Sequence, residues 1–418
     1  MEKEVNIAVL GLGVVASGLI ENLTIAKEKI KQQTGVALSI TKVMVRSKEK
    51  RRAQAEKHQL TFTTEIDEIL EDPTIDIVVE LIGGVSDAKK WITQSLQQGK
   101  HVVTANKDLI AQFGNELTAI AKDHNVSLFY EASVAGGVPI LQNLNTNFIA
   151  DEITGIQGIL NGTTNFMLTQ MAEQEESYEE ALKTAQTAGF AESDPTNDVD
   201  GWDAVYKLII LARLALGKNL SLTDIETQGI REITQRDMTY AQEFGYQIKL
   251  LAQAEKKAEK VYAAVTPVLI PKTHPLALVR NEMNGVFIES KLIGSSMFYG
   301  PGAGASPTAV SVLTDILRIV QGKEKEGPAT QMSCSELPKG ELAKRDVTNN
   351  YFLITNCTVD IETFLAKHQI KPLMIQQRLE KTEAAFITDK LTEEEKCSLK
   401  KQLQQISNIK QILNVWED

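Results

Sequence analysis

The sequence has few residues that could form disulfides or a cysteine-based metal site. Its three cysteines, Cys334, Cys357 and Cys397, are too dispersed for a zinc motif. No apolar stretch approaches the length of about 20 residues needed to span a bilayer. The N-terminus, MEKEVNIAVLGLG, has acidic residues and only a short apolar run, unlike a signal peptide. These absences favour a reduced, cytoplasmic protein without a membrane partner.

Basic charge is also scarce. The chain has 44 Lys and Arg residues against 55 Asp and Glu residues, a formal net charge of -11. This balance argues against nucleic acid or an anionic membrane surface as a partner. At 418 residues and 43% hydrophobic content, the chain can form two or three globular domains.

The N-terminal third carries a dinucleotide-binding pattern. An apolar run ends at Gly11, and Gly11, Gly13 and Ala16 fit G-x-G-x-x-A. The first glycine makes the tight turn, the second lets backbone approach a pyrophosphate, and the small third residue allows close helix–strand packing. Apolar runs, the last being VSLFYEAS, alternate with helical patterns up to about residue 133. We therefore expect a doubly wound, mostly parallel α/β sheet of the Rossmann type.

The end of the second predicted strand, LSITKVMVRS, bears on the choice of cofactor. Arg46 and Ser47 stand at its tip, followed by Lys48 and Lys50, where an NAD site usually has Asp or Glu. An arginine there accommodates a 2′-phosphate, so NADP is favoured over NAD. Alternatively, these basic residues merely open a solvated helix.

Three further segments carry candidate polar groups. Lys107 follows a predicted strand in VVTANKDLI and is either a contact to nicotinamide or substrate or a surface lysine. Glu131 precedes the Gly-rich EASVAGGVPI, which either holds a hard cation through oxygen ligands or turns into a helix near Pro139. In GILNGTTNFML, Thr163 and Thr164 can cap a helix.

The stretch AESDPTNDVDGWDAVYK packs five carboxylates and one ammonium group into seventeen residues, 191–207. It is not a calcium loop, because the sixth position from Asp194 is Val199 rather than Gly, and the twelfth is Val205 rather than Glu. Without histidine, it also does not fit a metal-hydrolase site.

From Trp202 the pattern predicts a helix, which places Asp203 and Lys207 on one face. That helix enters an apolar segment, so Lys207 is expected at the edge of the core, where its pKa can be tuned for proton transfer. The other acids, Glu192, Asp194 and Asp198, could bind the ammonium group of an amino acid. An exposed salt-bridged pair explains Asp203 and Lys207 equally well.

Seven stretches, in this order and spacing, resemble homoserine dehydrogenase along nearly the whole chain: GLGVVASG, VVTANKDLIA, EASVAGGVPI, GILNGTTNFML, AGFAESDPTNDVDGWDAVYK, THPLALV and YGPGAGASPTA. The resemblance implies reversible NAD(P)-dependent conversion of L-homoserine to L-aspartate 4-semialdehyde, in threonine and methionine biosynthesis. It implies that Lys207 is the proton donor and acceptor, that Lys107 is a second catalytic lysine, and that Asp203 assists them.

The resemblance also implies binding residues. The substrate contacts are Glu192, Asp198, Asp203 and Lys107. The cofactor contacts are Gly11, Gly13, Val14, Arg46, Thr104, Lys107, Gly189, Gly302 and Gly304. A sodium ion would be held by Glu131 with the backbone of Val134, Gly136 and Val138.

The predicted domains are a Rossmann domain over 1–133 and a catalytic and dimerisation domain over 134–304. A helix near 305–321 returns to the first domain, and a linker spans 322–348. Residues 349–418 predict a ferredoxin-like β-α-β-β-α-β unit that resembles the ACT domain. Its segment NCTVDIETF lacks the family's usual Pro-Gly, so the domain can serve assembly into a homodimer or homotetramer rather than threonine sensing.

Three other functions are compatible with parts of this sequence. A phosphorylating semialdehyde dehydrogenase needs a catalytic cysteine, but the cysteines lie in or near the linker and C-terminal domain. A 2-hydroxy-acid dehydrogenase is expected to use histidine, but His274 in THPLALV fits a structural turn. A non-catalytic amino-acid sensor predicts binding without turnover, and the presence of Lys107, Asp203 and Lys207 argues against it.

Overall fold

The computed structural model describes residues 3–47, 60–258, 260–322, 335–336, 342–343, 347–378, 380 and 382–416. The helices in these ranges are α1 (Val14–Thr34), α2 (Asp67–Leu70), α3 (Ser86–Gln97), α4 (Lys107–Asp123), α5 (Leu141–Thr146), α6 (Gly162–Glu173), α7 (Tyr178–Thr187), α8 (Thr196–Val199), α9 (Trp202–Leu216), α10 (Gln235–Glu243), α11 (Ala305–Val320), α12 (Ile361–Lys367) and α13 (Glu393–Leu403).

The strands are β1 (Lys3–Leu10), β2 (Val36–Met44), β3 (Thr61–Thr63), β4 (Ile77–Glu80), β5 (His101–Thr104), β6 (Leu128–Phe129), β7 (Ile153–Ile159), β8 (Lys218–Asn219), β9 (Glu226–Thr227), β10 (Tyr246–Lys257), β11 (Lys260–Pro271), β12 (Met283–Ser290), β13 (Gly294–Pro301), β14 (Ser335–Glu336), β15 (Val347–Thr348), β16 (Asn350–Thr355), β17 (Pro372–Arg378), β18 (Glu383–Thr388), β19 (Leu391–Thr392) and β20 (Asn408–Val415). Among the described residues, no helix is long and apolar enough to cross a membrane.

The chain divides into two compact units. The first comprises Met1–Ile156, Tyr206–Leu222 and Ile288–Leu337. The second comprises Gln157–Val205, Thr223–Phe287 and Pro338–Asp418. Helix α9 and strands β7 and β12 have residues in both units.

The first unit contains the predicted doubly wound sheet. Its strands lie in the order β3-β2-β1-β4-β5-β6, and neighbouring strands run parallel. The central strands are apolar on both faces because helices cover both sides, and Ile7, Val9, Ile77 and Val79 are fully buried. The strand order reverses between β1 and β4, the place where this fold binds ligands at the carboxyl ends of its strands.

The last strand of this sheet is shorter than the sequence predicted. The last strand was predicted across VSLFYEAS, but β6 is only Leu128–Phe129, and a 3-10 turn follows at Glu131–Ser133. The strand ends early because Glu131 is buried and binds backbone amides, which pulls the chain away from the sheet. The helix predicted after Lys48 lies outside the described residues.

Helix α11 packs against α1 in the first unit. The contact is so close at Gly18 that a Cβ atom there would lie 2.4 Å from the carbonyl oxygen of Ala305. Buried Ala309, Val312 and Ile316 of α11 join the apolar core formed by β1 and α1.

The second unit is built on a sheet with the order β12-β7-β10-β11-β20-β16-β18-β17. Strands β10 and β11 form a long antiparallel pair. The C-terminal segment has the predicted β-α-β-β-α-β succession, with the order β20-β16-β18-β17 and antiparallel neighbours. This is the ferredoxin-like arrangement. Its strand β20 also pairs in parallel with β11, with Leu269 lying opposite Val415. The ferredoxin-like strands therefore continue the sheet that contains β10 and β11.

Candidate active site

The turn between β1 and α1 requires glycine at Gly11. Its φ is 95°, a left-handed conformation that L side chains rarely adopt. Its N–H donates to the Met44 carbonyl over 3.0 Å, and a Cβ atom would lie 2.9 Å from the Leu81 carbonyl oxygen. The chain is therefore held tightly against β2 and the end of β4.

Gly13 has the opposite surroundings. Apart from its chain neighbours, no atom of the described residues lies within 4 Å of the position that its Cβ would occupy. Helix α1 begins at the next residue, the 69% exposed Val14, and has neither a side-chain cap nor an acid in its first turn. Open space beside uncapped amides fits a cofactor pyrophosphate.

A buried carboxylate that the sequence prediction missed organises the ends of β4 and β5. Glu80 accepts the Thr104 hydroxyl over 2.6 Å and the N–H groups of Ile82 and Gly83 over 2.8 and 3.2 Å. Both Glu80 and Thr104 are fully buried. The Thr104 side chain thus holds the strand ends together, which leaves backbone as the part of Thr104 suited to a cofactor contact. An acid at the end of the apolar run DIVVE was the signal for Glu80.

Lys107 is the first residue of α4. The preceding Asn106 caps that helix by accepting the Leu109 N–H over 3.1 Å, and its amide donates to the Gly84 carbonyl over 2.6 Å. The Lys107 ammonium is half-buried and lies 3.7 Å from the carboxylate of Asp108. Lys107 is therefore placed at the carboxyl end of β5 by a capped, rigid helix start.

Helix α9, which carries Lys207, is tied to α4 by another residue that sequence reasoning missed. The buried guanidinium of Arg213 donates to the carbonyls of Ile110 and Ala111 over 2.8 and 2.7 Å. Gly114 leaves room for it, since a Cβ there would lie 2.4 Å from Nη1. Lys207 is half-buried and precedes Arg213 by less than two helical turns.

Two glycine turns of the first unit pack against each other. Gly136 has φ 53°, and its Cβ would lie 2.3 Å from the Gly302 carbonyl oxygen. Gly304, with φ 118°, directly precedes α11 and is exposed. The contact between the Gly136 turn and the Gly302 turn is therefore made by backbone atoms.

Glu131 lies in the interior of the first unit beside these turns. Its carboxylate accepts the N–H groups of Leu141 and Gln142 over 2.9 and 2.7 Å. Burial raises its pKa to about 7, although those amide bonds and the Arg318 guanidinium pull it down. Asp315, which accepts the Glu131 N–H over 2.8 Å, also has a raised pKa because it is buried and close to Glu131.

A monovalent cation fits this surplus of buried carboxylate. Gly136 and the neighbouring turn present backbone carbonyls, of which that of Gly136 accepts the Ser311 hydroxyl over 2.7 Å. A carbonyl oxygen has two lone pairs and can accept a second partner. No group of three or more His, Cys, Asp or Glu side chains suited to a metal occurs in the described part of the chain, so such a site would rest on one carboxylate and backbone oxygens.

At the tip of β2, Arg46 is exposed, two residues beyond the end of the strand. Lys48 and Lys50, which also entered the NADP prediction, lie outside the described residues. Arg46 is thus open to solvent at the edge where a ribose 2′ group is recognised in this fold.

Two of the five carboxylates of residues 191–207 are occupied within the second unit. Asp200 pairs with Arg231. Asp194 accepts the N–H and hydroxyl of Thr196 over 3.1 and 2.6 Å, and these bonds lower its pKa. These bonds hold both acids within the loop.

Two other carboxylates converge on one side chain. The amide nitrogen of Asn161 lies 2.7 Å from Oδ1 of Asp198 and 2.8 Å from Oδ2 of Asp203. The Asp203 side chain is only 8% exposed, so its carboxylate lies largely away from water. Glu192 is exposed, as is Gly189, whose φ is 80° and whose Cβ position is open.

The predicted cap of α6 was wrong. Asn161 caps this helix by accepting the Thr164 N–H over 2.8 Å. The Thr164 hydroxyl also donates to the Asn161 side chain, and the Thr163 hydroxyl donates to the Phe190 carbonyl over 2.6 Å. Asn161 takes the cap because its backbone is extended, whereas both threonines already lie within the helix.

The histidine and cysteine side chains that the alternative dehydrogenases would need as catalytic groups lie in turns or in the C-terminal segment. His274 caps a 3-10 turn by accepting the Leu276 N–H over 3.2 Å, and its ring lies 4.3 Å from that of Trp416. Cys357 and Cys397 both belong to the ferredoxin-like segment. Cys334 lies outside the described residues.

Comparison with known proteins agrees with this geometry. The family described as "Homoserine dehydrogenase" matches residues 139–317, and "Homoserine dehydrogenase, NAD binding domain" matches residues 11–131. The homoserine dehydrogenase of Lactococcus lactis is 44% identical over 413 residues, covering 93% of this chain and 96% of that protein. The chain belongs to the homoserine dehydrogenase family.

Solved homoserine dehydrogenases share the fold. The enzyme from Thiobacillus denitrificans superposes with a TM-score of 0.89 at 32% identity, over 99% of both chains. A hyperthermophilic archaeal homoserine dehydrogenase, whose structure contains NADPH, superposes with a TM-score of 0.64 at 28% identity, over 75% of this chain and 97% of that one. The chain is therefore an NAD(P)-dependent oxidoreductase that interconverts L-homoserine and L-aspartate 4-semialdehyde.

Proposed function

We propose that Asp198, Asp203 and Glu192 bind the ammonium group of L-homoserine. The observation that carries this assignment is the convergence of Asp198 and Asp203 on the Asn161 amide. A substrate ammonium group can form charge-assisted hydrogen bonds to two carboxylates held at one place. The amino-acid end of the substrate would thereby be fixed.

Lys207 is the proposed acid and base at the reacting oxygen. It follows Asp203 by one turn of α9, and it is half-buried. In the oxidative direction its neutral amine takes the hydroxyl proton. In the reductive direction its ammonium group returns that proton to the oxygen as the alcohol forms.

Lys107 is proposed as a second cation at the same oxygen. The capped start of α4 and the bonds from Arg213 to the first turns of that helix fix its position. Its charge would polarise the aldehyde carbonyl. When bound, the nicotinamide supplies the hydride acceptor or donor for the substrate carbon.

The cofactor is proposed to be NADP, with NAD as the alternative. The open space at Gly13 and the uncapped amides of α1 fit a pyrophosphate, and exposed Arg46 suits a 2′-phosphate. NADPH in the archaeal relative supports this preference. Further proposed contacts come from Gly11, Val14, Thr104, Lys107, Gly189, Gly302 and Gly304.

A sodium ion is proposed at Glu131, with the backbone oxygens of Val134, Gly136 and Val138 as its other ligands. The ion would neutralise a carboxylate whose burial is otherwise unfavourable. It would join the start of α5 to the Gly-rich turn, and this role is structural rather than chemical.

The C-terminal segment is proposed to be an ACT domain over 349–418, after a linker over 322–348. Its topology supports this assignment, and its sheet continues β11. Because NCTVDIETF lacks the usual Pro-Gly, assembly into a homodimer or homotetramer is favoured over threonine binding. The proposed domains before the linker are 1–133 with the helix near 305–321, and 134–304. A cytoplasmic location is proposed as well.

Replacing Lys207 tests the proposed chemistry. Lys207→Ala is expected to lower kcat for L-homoserine oxidation by about 10²–10⁴-fold, the usual contribution of a general acid or base. The dissociation constant for NADP, measured by fluorescence titration, should stay within about twofold. The exposed Lys183→Ala serves as the matched control and should retain full activity. Loss of cofactor binding in Lys207→Ala would instead give Lys207 a structural role.

A further inference from the structure

We propose that Asn161 is a positioning residue that sets the enzyme's selectivity for the ammonium group of its substrate. The inference rests on the proposed function, because it concerns how Asp198 and Asp203 are held. Asn161 itself is 5% exposed and lies between β7 and α6.

The orientation of the Asn161 amide is determined by its surroundings. Its oxygen accepts the N–H and the hydroxyl of Thr164, each over 2.8 Å. An amide oxygen that accepts on one side leaves both N–H donors on the other. There the nitrogen meets Asp198 over 2.7 Å and Asp203 over 2.8 Å. A flipped amide would set two N–H donors against the Thr164 N–H and an oxygen against two carboxylates.

The backbone around Asn161 is fixed as well. The amide of Asn284 in β12 donates to the Leu160 carbonyl over 2.9 Å. On the other side, a Cβ atom at Gly162 would lie 2.8 Å from the carbonyl oxygen of Glu282. Close packing on both flanks gives the amide little freedom to follow the carboxylates, so the carboxylates are aligned by the amide.

A neutral donor suits this task. An arginine or lysine would align the two carboxylates equally well, but it would also neutralise them. The amide donates to Asp198 and Asp203 without adding a positive charge to the pair. Asn161 thus makes two separate acids into one binding site for an ammonium group.

The test separates the role of Asn161 as the cap of α6 from its role as hydrogen-bond donor to Asp198 and Asp203. Serine also caps helices, so Asn161→Ser keeps an acceptor for α6 and removes both N–H donors to the carboxylates. Steady-state kinetics would compare L-homoserine with 4-hydroxybutanoate, which has the same alcohol but no ammonium group. The latter is measured as a substrate or, where its turnover is too slow, as a competitive inhibitor.

Asn161→Ser is expected to raise KM for L-homoserine by about 10–100-fold, corresponding to one or two lost bonds to charged groups. KM for NADP and the constants for 4-hydroxybutanoate should change by less than about twofold. In Asn161→Asp the cap and shape persist but a third carboxylate faces the other two. Its defect should therefore be larger at pH 8 than at pH 5. This pH dependence also tests the proposal if Asn161→Ser does not fold.

Unchanged selectivity in Asn161→Ser, or equal losses on both compounds, would overturn the positioning role and leave Asn161 as a helix cap. Asp203→Asn distinguishes that failure from failure of the proposed function. If Asp203→Asn raises KM for L-homoserine and Asn161→Ser does not, only the inference about Asn161 fails. If Asp203→Asn leaves that KM unchanged, the ammonium site itself is wrong.

Discussion

The glycine turns of the first unit and the acidic stretch of the second unit place functional groups by different means. At Gly11 and Gly136 in the turns, and at Gly18 within α1, backbone lies within 3 Å of where a Cβ would be, so the close packing there depends on the absence of side chains. Around Asn161, side chains hold one another through hydrogen bonds. In the proposed function, the first arrangement binds phosphate through backbone amides, whereas the second binds a cation through carboxylates.

This difference determines how each region should respond to substitution. A change in the glycine turns alters either packing or access for the cofactor, depending on which side of the chain the new atom enters. A change among the acids alters charge and orientation with little effect on packing. Substitutions at the glycines should therefore change stability or cofactor affinity, and substitutions among the acids should change substrate affinity.

The largest expected effect is on folding, at Gly18. Gly18→Ala brings Cβ within 2.4 Å of the Ala305 carbonyl oxygen and should lower the free energy of unfolding by about 2–4 kcal/mol. Gly13→Ala, at the residue before the same helix, enters open space and should cost less than about 1 kcal/mol while raising KM for NADP about tenfold. Denaturant unfolding and initial rates measure both. Equal stability losses would contradict the assignment of separate roles to the two glycines.

The acidic stretch offers a similar pair. Asp198→Asn removes one charge of the converging pair and should raise KM for L-homoserine about tenfold or more, since hydrogen bonds to charged groups contribute about 1.5–3 kcal/mol. Asp194→Asn changes an acid whose bonds stay within its loop, and it should leave that KM unchanged. Steady-state kinetics at saturating NADP makes the comparison. If both variants lose affinity alike, the whole loop rather than the converging pair binds substrate.

Arg46 tests the cofactor side. Arg46→Ala should raise KM for NADP about tenfold and change KM for NAD by less than about twofold, because only NADP carries the 2′-phosphate. Parallel initial rates with the two cofactors give the ratio. Similar changes for both would remove Arg46 from the 2′-phosphate site.

The last expected effect, a change of stability with pH, concerns the buried Glu131. Its pKa is about 7 in the folded chain and 4.5 in model compounds, so between these values the folded state binds more protons. The free energy of unfolding should therefore fall as pH rises from 4.5 to about 7 and then level off, and Asp315 acts in the same direction.

Sodium bound to the ionised Glu131 should offset part of that loss above pH 7. Sodium at ten times its dissociation constant would stabilise the fold by about 1.4 kcal/mol. Thermal unfolding at pH 8 in NaCl and in choline chloride of equal ionic strength measures this, and Glu131→Gln should abolish the difference. An equal sodium effect in Glu131→Gln would place the cation elsewhere.

Sequence alone predicted the parallel sheet, the helix from Trp202 and the C-terminal β-α-β-β-α-β succession, because each depends on local periodicity. It did not predict Glu80, Asn161 or Arg213 as organising residues. Their partners are distant in sequence, as in the bond from Arg213 to Ile110. The two-residue β6 was also missed, since hydrogen bonds of a buried carboxylate, rather than propensity, end that strand.

The ammonium-binding site is the part of the proposed function on which most of the other assignments depend. It is tested most directly by comparing kcat/KM of the unaltered enzyme for L-homoserine and 4-hydroxybutanoate, followed by reduced-nicotinamide absorbance with NADP. A site built to bond a polar group rejects an analogue lacking that group by about 10⁴-fold, and a ratio of that order is predicted. A ratio below about ten would show that Asp198, Asp203 and Glu192 do not recognise the amino group.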